Sequence, residues 1–144
     1  MSLGNVFNIA GSAMSAQTVR LNTTASNMAN AESVSSSAGE TYRARKPVFE
    51  LKQLENLQPG SLPMGVQAGQ GVNISGIVES DAPLRQEYNP DHPMADENGY
   101  VYYPNVNVVE EMADMISASR SFQINAEIMN TAKQMMQKAL TLGQ

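Results

Sequence analysis

The chain has 144 residues, a formal net charge of −5 at pH 7 and no cysteine. This length allows one compact domain, or a small domain with helical extensions. The acidic balance argues against nucleic acid or an anionic membrane as the main partner, and the lack of cysteine excludes a disulfide framework and a thiolate metal site.

The chain opens with a predicted amphipathic helix from Asn5 to about Ala31, because apolar and small residues recur there at alternating steps of three and four. Arg20 is its only charged residue, and the polar face carries Asn, Ser, Thr and Gln. Such groups can bond to neighbours without the desolvation cost of an ion, so we expect protein on several sides of this helix. The alternative is an ordinary two-helix core with a soft polar exterior. The seam is Phe7, Ala10, Met14, Gln17, Leu21, Thr24, Met28 and Ala31.

The first 16 residues lack the cationic region of a signal peptide, and Asn and Ser interrupt their apolar residues. Elsewhere the sequence holds no run of eighteen apolar residues that would predict a transmembrane helix. We therefore expect any route out of the cytoplasm to avoid a cleaved signal.

The middle segment, residues 33–106, is predicted to be a small β-rich domain with long loops. Pro47 confines the first strand to an edge or a bulge, and Gly76 indicates a bulge in the second. A segment of this size is marginal as an independent fold. The predicted strands are 42–51, 72–78 and 100–103, and the predicted loops are 34–39, 58–71 and most of 89–104.

Two features of the middle segment are candidate sites. Arg43, Arg45, Lys46 and Lys52 place four of the nine basic residues close together, either on a solvated strand face or as an electrostatic contact with an acidic face of a neighbouring subunit. The only histidine, His92, lies between two prolines, and a rigid turn is a better interpretation than a metal or acid/base site because no further ligands have metal-binding spacing. We predict no catalytic, cofactor or metal residue.

The last predicted helix runs from Asn107 to Leu142 and organises the chain. Asn107 is a candidate cap, Glu110 can close a capping box, and Gly143 can supply the stop. The apolar positions form a heptad seam, which requires a partner helix. This seam is Met112, Met115, Ser119, Phe122, Ala126, Met129, Lys133, Met136 and Leu140.

The predicted fold class is therefore α+β. The N-terminal and C-terminal helices form a long antiparallel, coiled-coil-like stalk, and the β-rich segment lies between them. Many seam residues are small or polar and stabilise a lone helix pair weakly, so we expect the termini to be poorly ordered until assembly. The predicted domains are the helix of 1–32, the middle domain of 33–106 and the helix of 107–144.

Several motifs resemble the bacterial flagellar rod and hook protein family. The first helix ends in ASNMANA at 25–31, which resembles the Asn-x-Ala-Asn signature of that family. The last helix is similar to the family's C-terminal domain through NVNVVEEM at 105–112, RSFQIN at 120–125 and TLGQ at 141–144. The most specific element is NPDHPMADENGYVYYPNV at 89–106.

The resemblance implies a structural subunit of the flagellar basal body with no enzymatic activity. It would be exported by the flagellar type III apparatus and would polymerise helically in the periplasm, between the membrane ring with its export gate and the distal rod. Implied partners are further copies, other rod proteins, membrane-ring and export-gate adaptor proteins and the export apparatus. A coiled-coil adaptor that docks a single partner is the alternative, and an enzyme centred on His92 is a weaker one. The implied assembly interface is Phe7, Met14, Leu21, Asn27, Met28, Asn30, Met112, Met115, Arg120, Phe122, Asn125, Met129, Met136 and Leu140.

Overall fold

The computed structural model describes residues 3–52 and 71–142, and it confirms the α+β class. In chain order, one long helix comes first, two small antiparallel ribbons follow, and a second long helix comes last. The predicted loop at 58–71 falls outside the described residues except for Gly71, and so does Gly143. The elements are α1 (Leu3–Ala29), β1 (Arg45–Leu51), β2 (Val72–Glu79), β3 (Arg85–Tyr88), β4 (Tyr100–Tyr103) and α2 (Val108–Leu142).

Helix α2 begins as predicted, with one difference at its cap. The side-chain Oδ1 of Asn107 accepts a hydrogen bond from the backbone N–H of Val109 at 3.1 Å. The predicted capping box is wrong, because the Glu110 carboxylate lies 3.2 Å from the Lys46 ammonium instead. At 35 residues the helix is about 50 Å long.

Strands β1 and β2 form the first ribbon. The N–H of Lys52 donates to the Gly71 carbonyl at one end, and the N–H of Ser80 donates to the Ala44 carbonyl at the other, so the strands run antiparallel. Seven residues lie between the two bonded positions on the first strand, Ala44 and Lys52, and eight lie between Gly71 and Ser80 on the second. This difference indicates one extra residue between Gly71 and Ser80, in the strand where the sequence predicted a bulge at Gly76.

Strands β3 and β4 form the second ribbon, in which Arg85 faces Tyr103 and Tyr88 faces Tyr100. The sequence prediction missed β3, because Arg-Gln-Glu-Tyr lacks β-branched residues and its four side chains are exposed. On its other side β4 is joined to the Ser-rich loop, where Ser35 and Tyr102 exchange two backbone hydrogen bonds of 3.1 Å. Its Val101 is 1% exposed.

The described chain divides into two compact units, and each helix contributes to both. The first unit contains 3–18, 48–52, 71–76 and 118–142, and the second contains Val19–Pro47 and Ile77–Ser117. The first unit is built around small residues that let backbones approach closely. Its buried hydrophobic residues are Ala10, Ala16, Ala118 and Ala132.

The seam predicted for α2 is partly wrong. Met115, Phe122 and Met129 are half-buried, as the prediction requires. The predicted Met112, Met136 and Leu140 are 52%, 38% and 68% exposed. Three other positions of α2 are buried, and each lies one residue before a predicted seam residue, namely Met112, Ser119 or Lys133. Small side chains or a hydrogen-bonded carboxylate at these positions permit closer packing. These buried residues are Glu111, Ala118 and Ala132.

Candidate assembly site

The side chain of Asn27 joins three elements in the second unit. Its Oδ1 accepts hydrogen bonds from the Tyr42 hydroxyl at 2.8 Å and from the Arg45 N–H at 2.9 Å. Its Nδ2 donates to the Arg45 carbonyl at 2.8 Å and to the Glu111 carboxylate at 3.1 Å. The carboxamide thus pairs with Arg45 as a neighbouring β-strand would, which fixes α1 to the start of β1 and to α2. Asn27 is 1% exposed, so these bonds form where water cannot replace them.

The same unit holds parts of α1 and α2 in opposite directions. Arg20 forms an ion pair with Asp114 at 2.6 Å, and Asn27 contacts Glu111. Advancing along α1 from Arg20 to Asn27 therefore moves backwards along α2. This order is antiparallel over the parts of the helices that belong to the second unit. The one charged residue of α1 is used in this contact.

A second asparagine fixes the chain just before α2. The side-chain Oδ1 of Asn105 accepts from the Ala44 N–H at 2.8 Å, and its Nδ2 donates to the carbonyls of Ser80 and Ala82 at 3.1 and 2.9 Å. Asn105 thereby joins the start of β1 to the end of β2. The sequence reading placed Asn105 in a family motif but assigned it no role, because its partners are distant in sequence.

The exposed face of α1 carries no charge in the described part of the helix. Its exposed residues are small or polar and follow heptad-like spacing, which makes one continuous row. A helix face that meets water usually carries Lys and Glu. This row is Gly4, Asn8, Ser15, Thr18, Asn22, Ala25 and Ala29.

The exposed surface of α2 is unusually apolar. Ten large hydrophobic residues of this helix are exposed, and such surfaces mark interaction sites when they are contiguous. They include three residues of the predicted interface, Met112, Met136 and Leu140. The others are Val108, Val109, Ile116, Ile124, Ile128, Met135 and Leu142.

The remaining predicted interface residues are not gathered into one pocket or patch. Phe7, Met14, Leu21 and Met28 are half-buried along α1. Asn30 and Asn125 each donate a side-chain bond of 2.8 Å to the carbonyl four residues earlier in the chain. Arg120 is exposed on α2.

Arg43, Arg45 and Lys46, three of the four predicted basic contact residues, have partners among the residues that the structure describes. Arg45 pairs with Glu79 at 3.0 Å, and Lys46 pairs with Glu110 at 3.2 Å. Arg43 donates to the Ser80 carbonyl at 3.1 Å. The two ion pairs are about half exposed and contribute little to stability, so these cations stay accessible to a neighbouring subunit.

The loop of His92 is a hydrogen-bonded turn. The imidazole Nδ1 accepts from the Met94 N–H at 3.1 Å, and Asp96 Oδ1 accepts from the N–H groups of Asn98 and Tyr100 at 2.8 Å. Gly99 has a φ of 82°, and a Cβ there would press on Tyr88 and Pro90. Within residues 3–52 and 71–142 we find no group of three His, Cys, Asp or Glu side chains that could hold a metal ion. The helices described there are not long and apolar enough to cross a membrane.

Comparison with known proteins gives the family of this chain. Residues 7–34 match the family described as flagella basal body rod protein, and residues 97–142 match the C-terminal family of flagellar basal body rod FlgEFG proteins. Over its full length the chain is 51% identical to the flagellar basal-body rod protein FlgC of Salmonella typhimurium, covering all of both chains. The chain belongs to the FlgC family. The FlgC proteins of Escherichia coli O6:H1 and Borreliella burgdorferi are 50% and 36% identical, over all of this chain and 100% and 99% of theirs.

Membership of the FlgC family confirms the prediction of a structural subunit of the flagellar basal-body rod, and not an enzyme. It also confirms the location of the chain in the basal body. The first family match contains Asn27 and the second contains Asn105, Glu111 and Asp114. The contacts of Asn27 with Glu111 and of Arg20 with Asp114 therefore join residues of the two matched segments, whereas Tyr42 and Arg45, the other partners at this junction, lie outside both.

Proposed function

We propose that the chain polymerises helically through its terminal helices and forms the proximal rod, the drive shaft and export-channel wall between the membrane ring with its export gate and the distal rod. The observation that carries this proposal is the character of the two exposed helix surfaces. The α1 row has no charge, and α2 exposes ten large hydrophobic residues. Both surfaces suit burial between subunits better than contact with water.

We further propose that the two helices pair antiparallel beyond the second unit as a coiled-coil-like stalk, with 1–32 and 107–144 as the rod core and 33–106 as the middle domain. The contacts of Arg20 and Asn27 with α2 support this direction of pairing. The fourteen predicted interface residues are proposed to meet neighbouring subunits. Met112, Met136 and Leu140 suit this role because they are exposed in the single chain.

The proposed partners are further copies, other rod proteins, membrane-ring and export-gate adaptor proteins and the flagellar type III export apparatus. Export without a cleaved signal would deliver the chain to the periplasm.

The proposal is tested by measuring self-assembly of the purified chain against concentration, by light scattering and electron microscopy. A nucleated helical assembly has a threshold concentration and yields filaments or tubes. An adaptor that docks one partner shows neither, and this result would overturn the proposal. Amide hydrogen exchange before and after assembly then shows whether α1 and α2 gain protection on polymerisation.

A further inference from the structure

An acidic, aromatic surface lies at the turn that joins β3 to β4. We call it the tip patch and define it by Tyr88, Met94 and Tyr100, which are 64%, 40% and 42% exposed. The two tyrosine rings meet edge to face with centroids 5.4 Å apart. Residues 86–100 include four acidic residues and no lysine or arginine. These acids are Glu87, Asp91, Asp96 and Glu97.

Two of these acids, Asp91 and Glu97, are exposed beside the tip patch, and neither forms an ion pair with another described residue. Asp96 is half-buried and its Oδ1 accepts from two N–H groups, and Glu87 points to the opposite face of β3 from Tyr88. The tyrosine pair is held in place, because Gly99 packs against Tyr88 and Asp96 accepts a bond from the Tyr100 N–H. Exposed, preorganised aromatic rings lose little conformational entropy on binding and supply much of the contact area of protein interfaces.

The second half of α2 has a surface of the opposite kind. Steps of four and three along the helix place seven exposed residues on one side, in a row that we call the outer strip. Its large apolar members Ile124, Ile128 and Met135 are 58%, 42% and 59% exposed. Two cations belong to it, and neither forms an ion pair with another residue of the described chain. The row is Arg120, Ile124, Ile128, Thr131, Met135, Lys138 and Leu142.

We propose that the tip patch of one copy docks on the outer strip of a second copy. The two surfaces match in charge, since the exposed acids Asp91 and Glu97 can meet Arg120 or Lys138, which lie about 27 Å apart at the two ends of the strip. They also match in chemistry, since aromatic rings meet aliphatic side chains. Acidic residues outnumber basic ones 14 to 9 in the whole chain, which makes a cationic apolar strip a selective partner for an acidic patch.

The contact joins two different surfaces, so it is heterologous. A heterologous contact repeats from copy to copy and generates an open helical assembly unless the rotation closes a ring. This inference rests on the proposed function, and it adds the two surfaces through which successive copies contact each other.

Charge reversal tests the contact on the full-length chain. One variant carries Asp91→Lys and Glu97→Lys in the tip patch, and the other carries Arg120→Glu and Lys138→Glu in the outer strip. All four residues are exposed, so both variants are expected to keep the wild-type circular dichroism spectrum. The controls are Glu40→Lys with Asp81→Lys, which changes net charge equally at exposed sites elsewhere, and Lys133→Glu on another side of α2.

We expect each reversed variant alone to need at least about tenfold more protein to assemble, because like charges now face each other. An equimolar mixture should assemble near the wild-type threshold, because the cationic tip of one variant meets the anionic strip of the other. Controls should stay within about twofold of the wild type. If both variants assemble like the controls, or if the mixture is no better than either variant, the inference is wrong while the proposed function stands. A wild-type chain without any threshold would overturn the proposed function instead.

Engineered cysteines give an independent readout, since the chain has none of its own. Tyr88→Cys is placed on one tagged copy and Ile128→Cys on a copy with another tag, and the assembled mixture is oxidised. We expect a disulfide-linked dimer that carries both tags. Crosslinks between two Tyr88→Cys copies in its place would show that the tip patch faces itself, and would contradict the proposal.

Discussion

Replacing Asn27 by Asp tests the junction with the smallest change of shape. Asp keeps the oxygen that accepts from Tyr42 and Arg45, but it loses the amide group that donates to the Arg45 carbonyl and to Glu111. Leaving a buried partner unsatisfied costs about 1–3 kcal/mol. The new carboxylate oxygen also lies about 3 Å from that of Glu111, where an effective dielectric constant near 20 gives a repulsion of about 5–6 kcal/mol before relaxation or proton uptake.

Relaxation and proton uptake reduce this repulsion, so we expect the variant to lose about 3–5 kcal/mol of unfolding free energy at pH 7. The assay is urea unfolding of the purified chain, followed by circular dichroism. The two adjacent carboxyls of the variant bind a proton more readily when folded than when unfolded. The deficit should therefore shrink as the pH falls from 7 towards about 4.

Two further variants isolate the cause. Asn22→Asp makes the same chemical change at an exposed position of α1 and should cost less than about 0.5 kcal/mol. Adding Glu111→Gln to Asn27→Asp replaces the repulsion by an amide that can donate, and should recover more than half of the loss. The reasoning is refuted if Asn27→Asp is no worse than Asn22→Asp, or if Glu111→Gln brings no recovery.

Three other substitutions test local packing. Gly71→Ala should destabilise the chain by about 2 kcal/mol or more in urea unfolding, because Gly71 has a φ of 141° and the new Cβ would clash with Ser12. Ser12 Oγ also accepts from the Val72 N–H, so the clash is isolated by making Gly71→Ala in a Ser12→Ala background, where its cost should be smaller. Ala118→Leu should cost about 1–3 kcal/mol of unfolding free energy because Ala118 is fully buried. Ala113→Leu, at an exposed position of α2, should be nearly neutral in the same assay. Equal urea midpoints for the two variants would contradict the buried position of Ala118. Asn107→Ala should cost about 1 kcal/mol through the lost cap, and Asn107→Ser should restore most of it in thermal unfolding.

The two helices and the fold class were predictable because periodicity is a local property of the sequence. The predicted ends of α2 agree with the structure within a residue, and the Asn107 cap is present. The sequence did not predict which row of α2 is buried, because Glu111 and Met112 are neighbours and hydrophobicity alone favours the methionine. A carboxylate in the buried row becomes acceptable only through Asn27, which lies 84 residues away in sequence.

Contacts between distant residues account for the other misses. Strand β3 is polar and gains its extended form by pairing with β4, whose sequence is recognisably β-like. Asn27 was identified through a family motif, but its partners Tyr42 and Arg45 were not. A hydrogen bond of this kind depends on the path of the chain between the two residues, and the periodicity of the sequence does not predict that path.

The balance of buried and exposed residues supports the proposal that the chain gains stability from neighbouring subunits. Among the described residues the buried hydrophobic set consists of six alanines and one valine, whereas eighteen large hydrophobic residues are exposed. Burying a large apolar side chain contributes about 1.5–3 kcal/mol, and an alanine contributes a fraction of that. In the described part of the chain, polar junctions such as Asn27 therefore add to a core of small and half-buried side chains, and much large apolar surface stays exposed. Ten of the eighteen exposed residues lie on α2, so contacts along this helix are where assembly would add most to the stability of the subunit.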